Sequence, residues 1–207
     1  PAPGMRFNDG RCDASGRLWV GSMLMQQSLN QALGGLYCLG ERGLSGPHVE
    51  GLYTSNGSGF SPDAKTLYLS DSHPLSQQVW AFDFDLERGQ VSGRRPFLDM
   101  RQMAGRPDGA AVDREGNYWI CANDAGQVDC ISPQGQLLRA LPVPFPKPAM
   151  CCFGGADLAT LFVTSIVPAD PAQDTQGLSG AVVALRPGVA GLAEPRFSRF
   201  PRMDKPA

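Results

Sequence analysis

Polar turns that lead into aromatic and β-branched residues recur four times along the chain. The turns carry Asp13, Asp63, Asp113 and Asp157, which are separated by 50, 50 and 44 residues. A turn followed by such a run is the pattern of a β-strand, and a repeat of this length is typical of a propeller blade. No amphipathic helix of useful length interrupts the pattern. The repeat therefore predicts an all-β chain.

Each repeat contains further strand candidates on both sides of its turn. Small-residue runs precede the turns at 10–12, 57–60, 109–112 and 151–153. Second strands follow at 35–39, 78–84, 127–131 and 181–185, and more irregular last strands at 48–53, 95–98, 137–142 and 196–200. About four short strands per repeat match the content of a propeller blade. The prediction is a β-propeller, with residues 1–202 as a single domain and 203–207 as a disordered tail.

The small-residue runs are expected to be the innermost strands, because bulky side chains cannot fit where blades converge. The position five residues before each turn then holds Asn8, Asn56 and Asp108, and in the fourth repeat it falls near Met150. Alone, residues 8–10 and 55–59 have the composition of a turn and a loop. Their shared register instead predicts that three oxygen-bearing side chains meet at one end of the axis.

Composition excludes several classes of function. With 42% hydrophobic and 18% charged residues and a net charge of −2, the chain has no basic surface for nucleic acid. No apolar run is long enough to span a membrane, and no signal peptide is visible. Because the chain starts at Pro1 without an initiator Met, we expect the natural N-terminus to lie upstream. The 6 cysteines include no Cys-x-x-Cys pair, which favours buried free thiols and a cytoplasmic location over a disulfide framework.

The residue types present restrict the chemistry. Two scattered histidines do not supply a zinc cluster. Gly57-Ser58-Gly59 has the wrong spacing for a serine nucleophile, and no phosphate-binding or dinucleotide loop occurs. Hard oxygen donors remain, and these suit Ca²⁺, Mg²⁺ or Mn²⁺. His73 is read as an incidental histidine, with a catalytic role as the minor alternative. The insert at 22–32 is long enough to cover a propeller face.

Several motifs, in order and spacing, resemble the regucalcin (senescence marker protein)/gluconolactonase family. They are Arg6-Phe7-Asn8-Asp9-Gly10, Ser55-Asn56-Gly57, Arg106-Pro107-Asp108-Gly109 and Cys152-Phe153-Gly154-Gly155. The resemblance covers essentially the whole chain. It implies a six-bladed β-propeller with one divalent metal ion, Ca²⁺ or else Zn²⁺, Mg²⁺ or Mn²⁺, that hydrolyses sugar lactones such as gluconolactone.

The resemblance also implies roles for single residues. Asn56 and Asp108 match metal ligands, with Asp108 also the general base. Asn8 matches a residue that faces both metal and substrate. The substrate-facing set is completed by Arg6, Asp9 and Gln26, the last of which stands near a position where the family commonly has an acidic residue.

Two departures from the family pattern carry predictions. About four of the six blades are present, so the N-terminal blades are expected to be absent from this chain. The family's remaining metal ligand is a Glu in a first-blade Glu-Gly-Pro-x-Trp segment, and this segment is missing together with those blades. Asn8, Asn56 and Asp108 together offer one formal negative charge, which predicts Ca²⁺ binding no tighter than about millimolar.

Three functions are therefore considered. The first is a metal-dependent lactonase acting on a small-molecule sugar lactone. The second is a propeller used as a binding scaffold, which gives no reason to place Asn, Asn and Asp at one axial register. The third is a calcium-binding or inactive propeller without turnover, which the missing Glu favours. The sequence does not specify the oligomeric state, the lactone or the metal.

Overall fold

Fifteen β-strands form four antiparallel sheets in the computed structural model, which describes residues 3–200. The first sheet contains β1 (Met5–Cys12), β2 (Leu18–Leu24), β3 (Gly34–Gly40) and β4 (Gly43–Leu52). The second contains β5 (Ser55–Phe60), β6 (Thr66–Asp71), β7 (Gln78–Asp85) and β8 (Gln90–Asp99). The third contains β9 (Arg106–Val112), β10 (Tyr118–Asn123), β11 (Gln127–Ile131) and β12 (Leu137–Pro142). The fourth contains β13 (Pro148–Gly154), β14 (Thr160–Ser165) and β15 (Val182–Leu185).

Each sheet is a propeller blade in which every strand pairs with its neighbour in sequence. The first strands lie side by side, β1 against β5, β5 against β9 and β9 against β13, so they are the innermost strands, as predicted. Close approach explains their small residues. A Cβ on Gly109 of β9 would lie 2.7 Å from the carbonyl oxygen of Ala149 on β13. The all-β propeller prediction is confirmed.

Helical structure within residues 3–200 is confined to three short 3-10 helices, Gln27–Leu29, Met100–Gln102 and Pro171–Gln173. None of these is long and apolar enough to cross a membrane. The first of them lies in the predicted insert between β2 and β3.

The strand predicted at 196–200 is wrong. The fourth blade ends at β15, and the chain after it forms one isolated bridge, between Asp113 and Gly191. Two prolines, Pro187 and Pro195, lack the N–H that a strand ladder needs. The backbone beyond β15 bonds instead to turns of other blades, since Arg114 N donates to Ala190 O at 3.0 Å. The predicted tail at 203–207 lies outside the described residues.

Buried aspartates organise the repeated turns. Asp13, fully buried, accepts bonds from the backbone N–H groups of Ser15 and Arg17 and, at 2.9 Å, from Trp19 Nε1. Asp113 accepts the equivalent bond from Trp119 Nε1, also at 2.9 Å. Each carboxylate therefore ties a turn to the large side chain of the next strand, which explains why the Asp-x-x-Gly pattern precedes an aromatic residue.

The hydrophobic core lies between neighbouring blades. Trp19 and Leu67 belong to the cluster between the first two blades, Tyr118 to the next, and Trp119 to the last. Burial of such side chains stabilises each by about 1.5–3 kcal/mol. Blade packing therefore holds the innermost strands, and the side chains on them, in fixed relative positions.

The chain beyond β15 crosses from the fourth blade back to the first. Ser198 N donates to Gly16 O at 3.0 Å, and a Cβ on Gly16 would overlap the Ser198 side chain. This C-terminal segment, residues 189–200, covers the ends of the innermost strands where Cys12, Phe60 and Val112 surround a cavity of about 230 Å³. The opposite ends of the same strands carry Asn8, Asn56 and Asp108.

The six cysteines form no disulfide. Cys38, Cys121, Cys130 and Cys151 are buried, as predicted, whereas Cys152 is exposed. Successive residues of a strand point to opposite faces, and Cys151 packs towards the third blade. Cys152 therefore lies on the face of the last sheet that points away from the third blade.

Candidate active site

β-Bulges lie where the predicted site residues occur. The register of β1 shifts between Phe7 and Gly10, and that of β5 between Asn56 and Gly59. In β9 the shift falls opposite Ile120 and Ala122, at the position of Asp108. A bulge bends a strand and redirects a side chain. These irregularities allow Asn8, Asn56 and Asp108 to point away from the regular pleat.

Asn8 and Asn56 are directly linked. Asn8 Nδ2 donates to Asn56 Oδ1 at 3.1 Å and to Ser55 O at 2.9 Å. Asn56 Nδ2 donates in turn to Ser72 Oγ at 2.8 Å. The network orients both amides, and it confirms that the first two predicted side chains come together. Asn56 is buried and Asn8 is half-buried.

Asp108 is held by a second network. Asn123 Nδ2, at the end of β10, donates to Asp108 Oδ2 and to Pro148 O, both at 3.0 Å. Arg106 Nη2 donates to Asn123 Oδ1 at 3.1 Å, and Arg106 Nε donates to Asp124 Oδ2 at 2.7 Å. Asn123 is therefore positioned by Arg106 and fixes one oxygen of the Asp108 carboxyl. Asn123 is not among the residues predicted from the sequence, because no repeated position marks it.

Burial raises the pKa of Asp108 to about 7. This value already includes the lowering effect of the Arg106 charge, the raising effect of the Asp9 charge and the lowering effect of the bond from Asn123. A desolvated carboxyl favours its neutral form. Near neutral pH both protonation states of Asp108 are populated, which suits a group that takes up and releases a proton.

Asp9, which follows Asn8 on β1, carries a buried carboxyl. Its Oδ2 accepts a bond from the Ser58 N–H at 2.8 Å, and burial raises its pKa, while that bond and the charge of Arg11 lower it. The Asp9 carboxylate is therefore tied to the backbone of β5. The charge of Asp9 in turn raises the pKa of Asp108.

The donor set fits a hard divalent cation in type. Amide oxygens of Asn8 and Asn56 and the carboxyl of Asp108 are oxygen ligands of the kind that Ca²⁺ and Mg²⁺ prefer. Within residues 3–200 no group of three His, Cys, Asp or Glu side chains is placed to hold a metal. The set therefore suits zinc poorly and gives little negative charge for any cation.

A groove of about 440 Å³ opens next to these networks. Ser72, which accepts from Asn56, and Arg106, two residues before Asp108, both line it. Gln27 lines it as well, whereas Gln26 is exposed and does not. The Gln27 side chain contacts Leu24 O and Thr54 Oγ1. The structure thus places the neighbour of the predicted Gln26, rather than Gln26 itself, in the groove.

Arg6 is exposed on β1, and its Nη1 donates to Phe7 O at 2.9 Å. Arg6 does not line the groove. His73, by contrast, is buried in the groove wall, where its ring stacks on Tyr53 with centroids 4.6 Å apart. The residues next to His73 in the sequence do not indicate that its ring is buried here. The reason is that Tyr53, on which the ring stacks, lies in the connection between the first and second blades.

Residues 1–167 match the family model described as the SMP-30/Gluconolactonase/LRE-like region. The chain is 35% identical to regucalcin of Xenopus laevis over 205 residues, covering 95% of this chain and 67% of that protein. It is 38% identical to 6-deoxy-6-sulfogluconolactonase of Pseudomonas putida over 195 residues, covering 93% of this chain and 66% of that protein. A match to Danio rerio regucalcin, at 37% identity, covers 79% of this chain and 55% of that protein. The chain thus spans a little over half to two-thirds of the length of these relatives.

Solved structures share the same architecture. A calcium-binding protein, regucalcin, from Agrobacterium tumefaciens str. C58 superposes with a TM-score of 0.85 at 28% identity, covering 95% of this chain and 66% of that one. A luciferin-regenerating enzyme superposes with a TM-score of 0.83 at 30% identity, covering 93% and 65%.

Proposed function

The chain belongs to the SMP-30/gluconolactonase/LRE-like family, and from this membership and the site geometry we propose that it hydrolyses a sugar lactone with the help of one divalent cation. Relatives named as lactonase and as regucalcin support this proposal. The chain spans about two-thirds of the length of these relatives.

The observation that carries the proposal is the position and the raised pKa of the Asp108 carboxyl. Its carboxyl has a pKa of about 7, lies at a bulge of an innermost strand, and is held at one oxygen by Asn123. A general base works best when its pKa is near the working pH. A binding scaffold would have no use for a half-buried carboxyl with a raised pKa at the end of the axis that also carries two linked amides.

The chemistry of the protein's own groups follows from this placement. Asp108 in its ionised form accepts a proton from the attacking water, whose oxygen bonds to the lactone carbonyl carbon. The ring C–O bond then breaks, and the proton held by Asp108 passes to the departing ring oxygen, which leaves the open hydroxy acid. Asn123 keeps the carboxyl of Asp108 oriented throughout.

Asn8, Asn56 and Asp108 would hold the cation. A bound divalent ion of this kind polarises a carbonyl oxygen. The bond from Asn56 Nδ2 to Ser72 Oγ keeps the Asn56 amide from rotating, so that Oδ1 remains directed towards Asn8. The half-buried carboxyl of Asp108 would in turn be stabilised in its ionised form by a nearby positive charge.

The decisive variant is Asp108→Asn. Asparagine can still accept the bond from Asn123 but cannot take a proton, so hydrolysis of glucono-1,5-lactone above the spontaneous rate should fall by roughly 10²-fold or more. The assay follows acid release at constant pH with added Ca²⁺, Mg²⁺ or Mn²⁺. Asp129→Asn is the matched control, because it changes another buried aspartate, on β11, outside the site.

Equal turnover by the Asp108→Asn variant and the unchanged protein would exclude Asp108 as the base. Ion binding without turnover by the unchanged protein would instead favour a calcium-binding propeller.

A further inference from the structure

The groove beside the active site has a largely apolar surface with several polar side chains and no carboxylate. Its lining consists of Met23, Gln27, Ser28, Asn30, Thr54, Ser72, His73, Pro74, Leu75 and Arg106. Arg106 supplies a permanent positive charge, whereas no Asp or Glu belongs to this set. Because the one charged side chain of this lining is a cation, the groove favours an oxyanion over a cation.

Arg106 retains a free part of its donor fork. Nε is bonded to Asp124 and Nη2 to Asn123, while Nη1 has no partner among residues 3–200. The negative charge of Asp124 is shared, because Lys147 Nζ also contacts its carboxylate. Arg106 and Lys147 thus share the carboxylate of Asp124 at the groove edge, and the free Nη1 of Arg106 keeps its capacity to donate to an anion. The two bonds also fix the guanidinium plane, so Nη1 is presented without loss of side-chain freedom on binding.

His73 adds a neutral donor with a defined orientation. Its Nδ1 accepts a bond from the Leu75 N–H at 3.2 Å, so in the neutral ring the proton is on Nε2. Stacking on Tyr53 holds the ring in place. Nε2 has no partner in the described part of the chain. The carboxylate of nearby Asp71 is engaged by the N–H groups of Tyr53 and Thr54.

The groove continues from the active site. Ser72 bonds to Asn56, and Arg106 is two residues from Asp108 on the same strand. A sugar lactone whose carbonyl lies at Asp108 therefore has room to extend its exocyclic carbon chain into the groove. We propose that this groove binds an anionic group at the far end of the lactone, a phosphate, sulfonate or carboxylate, through Arg106 and His73. This inference rests on the proposed hydrolysis and narrows its substrate class.

The test compares lactones that differ in charge at carbon 6. The substrates are glucono-1,5-lactone, which is neutral, 6-phosphogluconolactone and a glucarolactone that carries a carboxylate. The measured quantity is the ratio of kcat/KM for each charged lactone to that for the neutral one. The ratio is used because Arg106 also influences Asp108. An effect of an Arg106 variant on the base changes kcat/KM for every lactone by the same factor and therefore cancels in the ratio.

The unchanged protein is expected to prefer a charged lactone, and Arg106→Gln should lower that ratio on the order of tenfold, the value of one charge-assisted hydrogen bond. Arg106→Lys should retain part of it, because the charge remains but the planar fork is lost. His73→Phe keeps an aromatic ring against Tyr53 and should lower the ratio by a smaller factor. Arg95→Gln, which removes an exposed arginine paired with Asp83 at 2.7 Å, is the matched control and should leave it unchanged.

A binding measurement separates this inference from the hydrolase proposal. Glucose 6-phosphate and glucose are unreactive probes, and calorimetry should show binding of the phosphate ester only, lost in Arg106→Gln. Turnover without preference for charged lactones, or an equal loss for all lactones in Arg106→Gln, would overturn the anionic subsite and leave hydrolysis standing. Binding of glucose 6-phosphate with no lactone turned over would retain the subsite and overturn the hydrolase. The charged lactone with the higher kcat/KM shows whether the groove prefers a phosphate or a carboxylate.

Discussion

At the scale of residues, charge limits what the site can bind. Asn8 and Asn56 contribute neutral amide oxygens. Of the two acidic groups present, Asp9 is committed to the Ser58 N–H, and Asp108 is half protonated near neutral pH because of its burial. Affinity for Ca²⁺ follows the number of charged ligands and their rigidity. The electrostatic attraction of this site for a divalent cation is therefore weak.

Ca²⁺ titration of the protein should give a dissociation constant of about 10⁻³ M, and Asn56→Asp should tighten it roughly tenfold through the added charge. Aspartate at 56 can still accept from Asn8, and the Ser72 hydroxyl can turn to donate to it. Calorimetry measures both values. Gln134→Glu, the same amide-to-acid change on the exposed β11–β12 turn, is the control. Micromolar binding by the unchanged protein would show that a further acidic ligand, such as Asp9, takes part.

At the scale of elements, the innermost strands combine a bulge with small residues, and the middle strands carry the blade packing. On β11, however, one of the fully buried side chains is an acid rather than an apolar group. Asp129 is fully buried, its Oδ1 accepts from Gln127 Nε2 at 2.7 Å, and its Oδ2 has no partner in the described structure. Burial raises the pKa of Asp129 to about 6. An ionised Asp129 therefore destabilises the third blade.

The raised pKa of Asp129 makes the free energy of unfolding depend on pH. The pKa of Asp129 is about 6 in the folded protein, whereas an aspartate in the unfolded chain has its ordinary pKa of about 3.9. This group therefore lowers the free energy of unfolding as pH rises between those values. Asp129→Asn removes the free-energy cost of ionising this buried carboxyl. It should stabilise the protein by roughly 1–2 kcal/mol at pH 7.5, less than the full linkage value because the amide also lacks a partner. Urea unfolding at pH 4 and pH 7.5 measures it, and an equal difference at both pH values would contradict this account.

At the scale of the whole molecule, one arginine joins three blades and the C-terminal segment. Arg11, on β1, donates through Nε to Ser58 O on β5 at 2.8 Å and through Nη2 to Ala110 O on β9 at 2.5 Å. Its Nη1 contacts Glu194 of the segment that crosses the blades. Arg11 is largely buried, with 13% of its side chain exposed, while Glu194 is 45% exposed. The carbonyl oxygens that Arg11 satisfies are therefore more important than the ion pair.

Arg11→Met should lower the free energy of unfolding by roughly 2–4 kcal/mol, because two inward carbonyl groups lose their donor. Glu194→Gln should cost less than about 1 kcal/mol, since the exposed acid contributes little. Chemical denaturation compares these variants with Arg95→Gln, an exposed control. A larger loss in Glu194→Gln than in Arg11→Met would show that the C-terminal segment, rather than the blade contacts, provides the stabilisation.

The sequence by itself determined the parts of this protein that depend on local pattern. Alternation and repeated turns predicted the strands of the first three blades, because a buried Asp13 or Asp113 bonds to its own turn and to a nearby tryptophan. The common register of Asn8, Asn56 and Asp108 predicted that innermost strands would bring oxygen donors to one end of the axis. Asn8 and Asn56 do meet there.

Only the tertiary structure decided which side chains surround those donors. Asn123, His73 and Arg106 reach the site because blades and connecting loops pack together, and no spacing along the chain encodes contacts between His73 and Tyr53 or between Asn123 and Pro148. The strand expected at 196–200 failed for the same reason. That segment carries strand-like residues, but its backbone partners are turns of distant blades, and hydrogen bonds made across the fold, rather than local preference, set its conformation.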